Sequence, residues 1–296
     1  MAIRIGNAPC SWGVEFADDP RNPPWQQVLQ DCAAAGYRGI ELGPVGYLPE
    51  DRAQLDDALQ KEDLTLTAGV VFQPFHDPDG FAEVFDTAER TAKALASQGA
   101  QHLVLIDSIS ARRAPTAGRP AEAEQLSSGE WQGFVERIKT VSKMARDGYG
   151  LTVSIHSHAA GFMDFHDELE RLMQEVDADL LKLCIDTGHQ TYAGFDPINF
   201  MERYYDRLAY VHCKDIDPKI KADVILQRTG FYKACGDGIF CNLGQGEVKF
   251  DALHTLLTQR GYQGWMTVEQ DCDPLLEVSP LSDAIANREF LASMGF

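Results

Sequence analysis

Strand-like and helix-like segments alternate eight times along this chain, and that alternation limits its possible folds more than any other feature. Short runs rich in β-branched residues are each followed by a longer stretch with apolar residues at helical spacing. Glycines stand where several of these helices would end, at Gly36, Gly99, Gly148 and Gly261. The pattern predicts parallel strands joined by crossover helices.

The predicted strands cover residues 3–8, 38–42, 64–71, 101–107, 150–156, 180–186, 207–213 and 264–269. The predicted helices cover residues 24–35, 51–61, 80–97, 128–147, 163–176, 196–205, 250–260 and 280–294. Eight such units, with a helix after the last strand, fit a closed (β/α)8 TIM barrel better than an open sheet. We therefore predict an α/β protein with one barrel domain over residues 1–296.

Two of the connections are longer than a barrel needs, at residues 108–127 and 214–247. Each follows the carboxyl end of a predicted strand, where barrels build their active sites and lids. We expect both connections at the mouth of a pocket. Residues 108–127 are rich in Ala, Arg and Pro, so a disordered loop is an alternative there.

Charge and hydropathy exclude several classes of partner. The chain carries 45 acidic and 26 basic residues, a net charge of −19, with no basic run beyond Arg112-Arg113. Nucleic acid is therefore not an expected partner, because phosphate contacts need clustered cations. No window has the 18 apolar residues of a membrane span, and the amino terminus lacks a secretion signal, so we expect no membrane contact and a cytoplasmic protein. The seven cysteines lack metal-binding spacing and are expected to be reduced thiols.

The alternation of side chains along a barrel strand shows which polar residues face the interior. In the fifth strand the apolar residues at odd-numbered positions face the helices, which leaves His156 and His158 on the interior side. The same argument turns Asp186, His212 and Glu269 inward at the ends of the next three strands. Four consecutive strands thus end in a potential metal ligand at the mouth of the barrel.

Imidazole nitrogen and carboxylate oxygen suit a divalent ion such as Mn²⁺, Co²⁺ or Zn²⁺. One such residue alone is more often a hydrogen-bonded residue at the barrel end, but four in phase on neighbouring strands favour a metal site. We predict that the ligands are His156, Asp186, His212 and Glu269, and that open positions on the ion take substrate oxygens or water. A closed structural zinc site is disfavoured because no cysteine is in phase at these strand ends.

Several motifs resemble one known family, the xylose-isomerase-like (sugar phosphate isomerase/epimerase) TIM barrels. They are DTGH at 186–189, VHCKD at 211–215, GQGE at 244–247 and TVE at 267–269. Within that superfamily the chain is most similar to the inosose dehydratase and rhizopine-catabolism group. That likeness comes from APCSWG at 8–13, HSH at 156–158, FYKACGDGIF at 231–240 and VEQDCDP at 268–274.

The resemblance implies a metal held at the ends of strands five to eight, in agreement with the phase argument. Isomerases and epimerases of the superfamily usually carry a glutamate where this chain has His156, and two glutamates exchange the proton between the substrate faces. The histidine removes one member of that pair. This departure favours chemistry with a different base, although an imidazole could itself serve.

Dehydration of a ketopolyol needs a base for the proton next to the carbonyl, stabilisation of the enediolate, and an acid for the departing hydroxyl. A divalent ion would stabilise the enediolate as a Lewis acid. The candidate acid and base groups are Glu269, His158 and Lys214. Alternatively, His158 orients a neighbouring metal ligand and Lys214 faces solvent.

Four further residues are candidates for substrate binding. Glu41 faces inward at the end of the second strand and could accept a hydrogen bond from a polyol, or form a salt bridge inside the barrel. His189 could bind substrate hydroxyls or stabilise its turn. Trp12 and Phe231 could wall a pocket for a compact ring, although aromatic residues in barrel loops more often serve packing.

The resemblance implies a metal-dependent lyase of inositol catabolism that removes water from a small ketocyclitol such as 2-keto-myo-inositol (inosose), and we expect this activity. The alternative enzyme is a ketose or ketocyclitol isomerase or epimerase on the same metal. A nuclease is disfavoured by the acidic charge, and a non-catalytic sugar-binding barrel would have no reason to keep four ligands in phase. Barrels of this superfamily are often oligomeric, so a homo-oligomer is a further expectation.

Overall fold

A computed structural model describes residues 3–271 and 279–296 of the chain. The strands are β1 (Arg4–Asn7), β2 (Gly39–Ile40), β3 (Thr65–Leu66), β4 (Ala68–Gln73), β5 (His102–Asp107), β6 (Thr152–His156), β7 (Lys182–Asp186), β8 (Leu208–Cys213), β9 (Asp215–Ile216), β10 (Phe240–Cys241) and β11 (Trp265–Val268). The helices are α1 (Trp25–Ala34), α2 (Arg52–Lys61), α3 (Phe81–Gln98), α4 (Ser128–Lys143), α5 (His166–Glu175), α6 (Thr187–Tyr192), α7 (Pro197–Arg203), α8 (Pro218–Gln227), α9 (Phe231–Gly236), α10 (Phe250–Gln259) and α11 (Pro280–Ser293).

Nine strands form one parallel sheet in the order β3-β2-β1-β11-β8-β7-β6-β5-β4. The two outermost strands, β3 and β4, are consecutive in the chain and are separated only by Thr67. One half of this interrupted strand pairs with β2 and the other half pairs with β5. With β3 and β4 counted as one interrupted strand, the sheet closes on itself with eight strands. The predicted (β/α)8 barrel is confirmed.

The strands and helices lie within a few residues of the predicted bounds. α4 is shorter than predicted because a π-helical turn, Met144–Gly148, follows it. Two features were not predicted: α6 starts directly at the end of β7, and residues 214–247 contain β9, α8, α9 and β10. α6, α9, β9 and β10 are too short to show a helical or strand period, and α8, although 10 residues long, buries only Val224 and so lacks an apolar face. Within the described residues, no helix is long and apolar enough to span a membrane.

Apolar side chains separate into two layers that confirm the predicted strand phase. Val153, Ile155 and Val211 belong to the large core between the strands and the helices. Cys184 and Tyr210 belong to a smaller cluster inside the barrel. The six cysteines within the described residues are free, and Cys272 lies outside them.

A third apolar cluster joins the two long connections to the loop after β6. Ala117, Ala160, Phe231 and Phe240 are among its buried members. The Asp215 carboxylate stabilises the end of the connection at residues 214–247. It accepts hydrogen bonds from the backbone N–H groups of Gly244, Gly246 and Val248, at 2.9–3.0 Å. The long connections therefore form a packed unit at the carboxyl end of the barrel.

Candidate active site

Four side chains converge where β6, β7, β8 and β11 end. His156, Asp186, His212 and Glu269 each offer one ligand atom, and these atoms all lie within 4.8 Å of one another. His156 Nε2 is 3.2 Å from Asp186 Oδ2, and His212 Nδ1 is 3.3 Å from Glu269 Oε1. All four residues are buried. The convergence predicted from strand phase is thus present in the structure.

The atoms that face one another in this cluster are not satisfied by hydrogen bonds. His156 Nε2, Asp186 Oδ2 and His212 Nδ1 are buried and have no hydrogen-bond partner among the described residues. Buried polar atoms nearly always have one, so three unpaired atoms around one point indicate a shared ligand. Two imidazole nitrogens and two carboxylate oxygens are a donor set that fits a divalent metal ion.

The two carboxylates of the cluster are held in their ionised form. Burial alone would raise the pKa of Asp186, but Lys214 and His156 bring it below its usual value. Burial opposes ionisation of Glu269 too, but His212 and Lys214 lower the pKa of this carboxyl well below its usual value. The cluster therefore presents anionic oxygens to a cation at neutral pH.

Glu41 fixes the orientation of the His212 ring. Its Oε1 lies 3.0 Å from His212 Nε2, so Nε2 carries a proton and Nδ1 faces the cluster. Burial opposes protonation of the ring, but Cys184, Glu269 and Glu41 raise its pKa well above the usual value, so a cation that binds at Nδ1 displaces a proton from it. The other carboxylate oxygen of Glu41 is buried and has no partner in residues 3–271 and 279–296, and the residue lines the pocket beside the cluster. The salt bridge considered for Glu41 is present, while a substrate contact through its second oxygen stays a prediction.

Lys214 is buried beside the cluster, so the solvent-facing alternative for this residue is wrong. Its Nζ lies 2.9 Å from Asp271 Oδ1 and 3.3 Å from Glu269 Oε2. Burial lowers the pKa of this lysine, but Asp271 and Glu269 more than offset that effect and raise it well above its usual value. Lys214 is therefore an ammonium group at the pocket wall. Asp271, its close partner, was not among the residues predicted for the site.

His158 and His189 stack behind the cluster with ring centroids 4.0 Å apart. His158 Nδ1 is 2.8 Å from the carbonyl oxygen of Ala159 and donates to it, which leaves Nε2 as a free acceptor. Burial, with His156 and Lys214 nearby, lowers the pKa of His158 to about 3. His158 is therefore neutral and lines the pocket in its basic form.

His189 stabilises its turn, which was the alternative to its predicted role in substrate binding. Its backbone N–H donates to Asp186 Oδ1 at 2.7 Å, and its Nδ1 accepts from the N–H of Ala159 at 3.1 Å. The side chain is buried. His189 thus ties the loop after β6 to the start of α6, and a substrate contact stays a prediction.

One pocket, with a volume of about 360 Å³, opens onto the cluster. His158, Lys214, Glu269 and Asp271 line one side. The other side comes from the segments after β1, β2 and β4 and from one face of α3. Among the described residues that line the pocket, Lys214 alone belongs to the two long connections, which bury their apolar residues against each other instead.

The structure does not bring Trp12 or Phe231 into the lining of this pocket. Trp12 packs in the large core, and its indole nitrogen donates to Asp31 of α1 at 3.1 Å. Phe231 is buried in the cluster of the long connections, with its ring 5.8 Å from that of His158. Among the described residues, the phenylalanines that line the pocket are Phe16, in the loop after β1, and Phe72, on β4. Sequence alone does not separate Phe16 from other loop aromatics.

The fold with this cluster at the barrel mouth matches a known class of TIM barrels. The family model of xylose isomerase-like TIM barrels matches residues 29–294. The chain therefore belongs to the xylose isomerase-like TIM barrel family.

Among relatives, the chain is 31% identical to the rhizopine catabolism protein MocC of Rhizobium meliloti, over 99% of this chain and 89% of that protein. It is 27% identical to the inosose dehydratase of Geobacillus kaustophilus, over 98% of this chain and 94% of that protein. Among solved structures, the IOLI protein with a bound zinc atom has a TM-score of 0.75 at 14% identity. That alignment covers 99% of this chain and 98% of the other. A likeness at this identity shows the shared fold.

Proposed function

We propose that the protein is a metal-dependent dehydratase of a ketocyclitol such as 2-keto-myo-inositol, and that it acts in inositol catabolism. The observation that carries the proposal is the buried cluster with three unpaired ligand atoms, next to the ammonium group of Lys214 and the neutral His158. Relatives named inosose dehydratase that align with 98% of this chain support the choice of substrate.

In this proposal His156, Asp186, His212 and Glu269 hold the divalent ion, which is Mn²⁺, Co²⁺ or Zn²⁺. When bound, such an ion supplies Lewis-acid polarisation of the substrate carbonyl and its neighbouring hydroxyl. Glu41 keeps His212 in the tautomer that binds a cation.

His158 is the general base of the proposed reaction. Its Nδ1–H is engaged with the Ala159 carbonyl, so Nε2 is free to take the proton from the carbon next to the carbonyl. The electron pair of that C–H bond forms a C=C bond as the C–O bond to the next carbon breaks. The Nε2 of His158 carries no proton at neutral pH, so the lone pair is available, while a pKa of about 3 makes this imidazole a weak base.

Lys214 is the general acid. Its ammonium group lies against Glu269 and Asp271 at the pocket wall, where it donates a hydrogen bond and then a proton to the departing hydroxyl. This transfer is favourable despite the raised pKa of the lysine, because hydroxide is a far stronger base than an amine. Water leaves, and the remaining enol becomes a ketone by tautomerisation.

An isomerase or epimerase on the same cluster is the second candidate. His158 and Glu269 both line the pocket, so two potential bases face the space where a ketose would lie. Such a pair is able to move a proton between two positions of the substrate without loss of water.

The test removes metal with a chelator, restores Mn²⁺, Co²⁺ or Zn²⁺ separately, and follows inosose in D₂O by mass spectrometry. We expect metal-dependent loss of one water. Retention of water with uptake of deuterium would favour the isomerase or epimerase, and no change with any ion would contradict both. For the Asp186→Asn variant in the same assay, the control is Asp177→Asn, which removes an exposed carboxylate before β7, outside the cluster.

A further inference from the structure

The pocket is larger than one ketocyclitol requires. Its volume is about 360 Å³. A ring of six carbons and six oxygens, at about 15 Å³ per packed atom, fills roughly half of such a pocket. The rest of the volume is open to another part of the substrate.

The unused volume lies across the barrel mouth from the metal cluster. The cluster occupies the ends of β6, β7, β8 and β11, while the remaining lining follows β1 and β2 and lies on α3. We call this region the distal half of the pocket. Its lining residues are Phe16, Val45, Glu83, Thr87 and Arg90.

The distal half combines an aromatic and an aliphatic surface with a polar helix face. Phe16 is 60% exposed, which is unusual for a phenylalanine that faces a pocket. Glu83, Thr87 and Arg90 are spaced four and three residues apart, so they lie on one face of α3. A flat apolar surface opposite hydrogen-bonding groups suits a polyhydroxylated ring, which has both C–H faces and hydroxyl edges.

Charge in the distal half excludes an anionic substituent. The carboxyl groups of Asp18 and Glu83 line this side of the pocket. The guanidinium of Arg90 is paired with Glu50 at 2.7 Å, and Lys214 is paired with Asp271. With both cations paired and two carboxyl groups present, a phosphate or carboxylate would be repelled.

We infer that the distal half is a subsite for an uncharged, ring-sized substituent of the substrate, such as a hexosyl group O-linked to the ketocyclitol across the ring from the ketone. This inference rests on the proposed function for the position of the ketone at the metal cluster. It predicts that a glycosylated ketocyclitol is a better substrate than free inosose.

The test compares two unreactive polyols, myo-inositol and a hexosyl-myo-inositol, by calorimetric titration of the Mn²⁺-loaded protein. We expect the hexosyl compound to bind at least tenfold more tightly to the wild type. Val45→Trp and, from the facing helix, Thr87→Tyr fill the distal half and are expected to bring the ratio of the two affinities close to one. Ala178→Trp, before β7 at the opposite end of the barrel, is the matched control and is expected to leave the ratio unchanged.

Equal affinity for the two polyols in the wild type, or no binding of the hexosyl compound, would overturn the subsite. An unchanged affinity ratio in both filled variants would also overturn it. Turnover of the two corresponding ketones tests the proposed function separately. A hexosyl advantage in binding with no loss of water from either ketone would support the subsite and contradict the dehydratase.

Discussion

At the scale of single residues, the ionisation of the cluster depends on partners that lie outside it. Glu41 binds the far nitrogen of His212, and Lys214 lies against the far oxygen of Glu269. Such partners orient ligands and set their charge. Their substitution therefore tests the site without removal of a ligand.

Glu41→Gln is expected to weaken Mn²⁺ binding by about 10- to 100-fold. The amide is neutral, and its NH₂ group can face His212 Nε2, which moves the ring proton to the nitrogen in the cluster. Metal affinity is measured by titration of the chelator-treated protein. Glu136→Gln, an exposed glutamate on α4, is the control. Equal affinities in the Glu41 variant and the wild type would show that Glu41 has no part in metal binding.

Asp186→Asn and Glu269→Gln are expected to fold but to lose both metal and turnover. The first variant folds because asparagine at position 186 keeps a side-chain oxygen that accepts a hydrogen bond from the His189 N–H. This bond preserves the N-cap of α6. The second variant folds because glutamine is close in size to glutamate. Each variant lacks an anionic ligand. Metal content after dialysis and near-ultraviolet circular dichroism are the measurements, and unchanged metal content in both variants would refute the assigned cluster.

At the scale of elements, the loop after β6 positions His158 through a buried carboxyl group. Asp164 Oδ2 accepts from the N–H of Ala160 at 3.0 Å, and Ala160 has a φ of 69°. The other oxygen of Asp164 is buried and has no partner in the part of the chain that the structure describes. Burial raises the pKa of Asp164 to about 8, although the guanidinium of Arg113 opposes the shift. The loop is thus held by a protonated aspartic acid at neutral pH.

The pKa of Asp164 predicts a loss of stability as pH rises. The unfolded chain releases this proton at about pH 3.9, and the folded chain keeps it until about pH 8. Between these values the folded state binds more protons, so its free energy of unfolding falls with pH by up to about 1.4 kcal/mol per unit from this group. Asp164→Asn mimics the protonated form and should remove that slope.

Urea unfolding of the wild type and Asp164→Asn between pH 5 and 9 measures the effect. The variant is expected to gain stability relative to the wild type as pH rises. Asp167→Asn, in the first turn of α5, is the comparison for a carboxyl group that is not fully buried. A constant difference between wild type and Asp164→Asn over the range would show that Asp164 is ionised in the fold.

Elements also show how far the sequence determines the structure. Strand phase has a period of two, so the inward direction of His156, Asp186, His212 and Glu269 follows from local pattern alone. The role of Glu41 depends on a partner far away in the chain, which no local pattern reveals. Nor does local pattern reveal that one face of α3 lines the pocket. Helical spacing shows which residues of α3 share a face, but not which part of the protein that face contacts. Trp12 was predicted for the pocket but lies in the core, because its position depends on how it packs against α1.

At the scale of the whole molecule, barrel closure brings together residues that are far apart in the chain. Glu41 follows β2 and His212 lies on β8, and two strands, β1 and β11, stand between them in the sheet. Their side chains meet because the closed sheet curves around a common interior. The mouth gathers Glu41, Asp186, Glu269 and Asp271 in a chain of net charge −19. The expected homo-oligomer and cytoplasmic location stay predictions.

Concentrated negative charge at the mouth predicts that metal binding stabilises the entire fold. A ligand that binds the folded state alone, at about 100 times its dissociation constant, contributes about 2.7 kcal/mol. For a chain of 296 residues this corresponds to a rise in Tm of about 4 °C. Because the ligands come from four different strands, the gain requires a closed barrel.

Thermal unfolding of the chelator-treated protein with and without Mn²⁺, at constant ionic strength set with KCl, measures this rise. Asp186→Asn with Glu269→Gln in one chain is expected to show no rise, because the remaining imidazoles lack anionic partners. The control separates site binding from general screening, since screening of a surface charge of this size would act on both proteins alike. An equal rise in both would mean that Mn²⁺ acts on the acidic surface and that the cluster does not bind it.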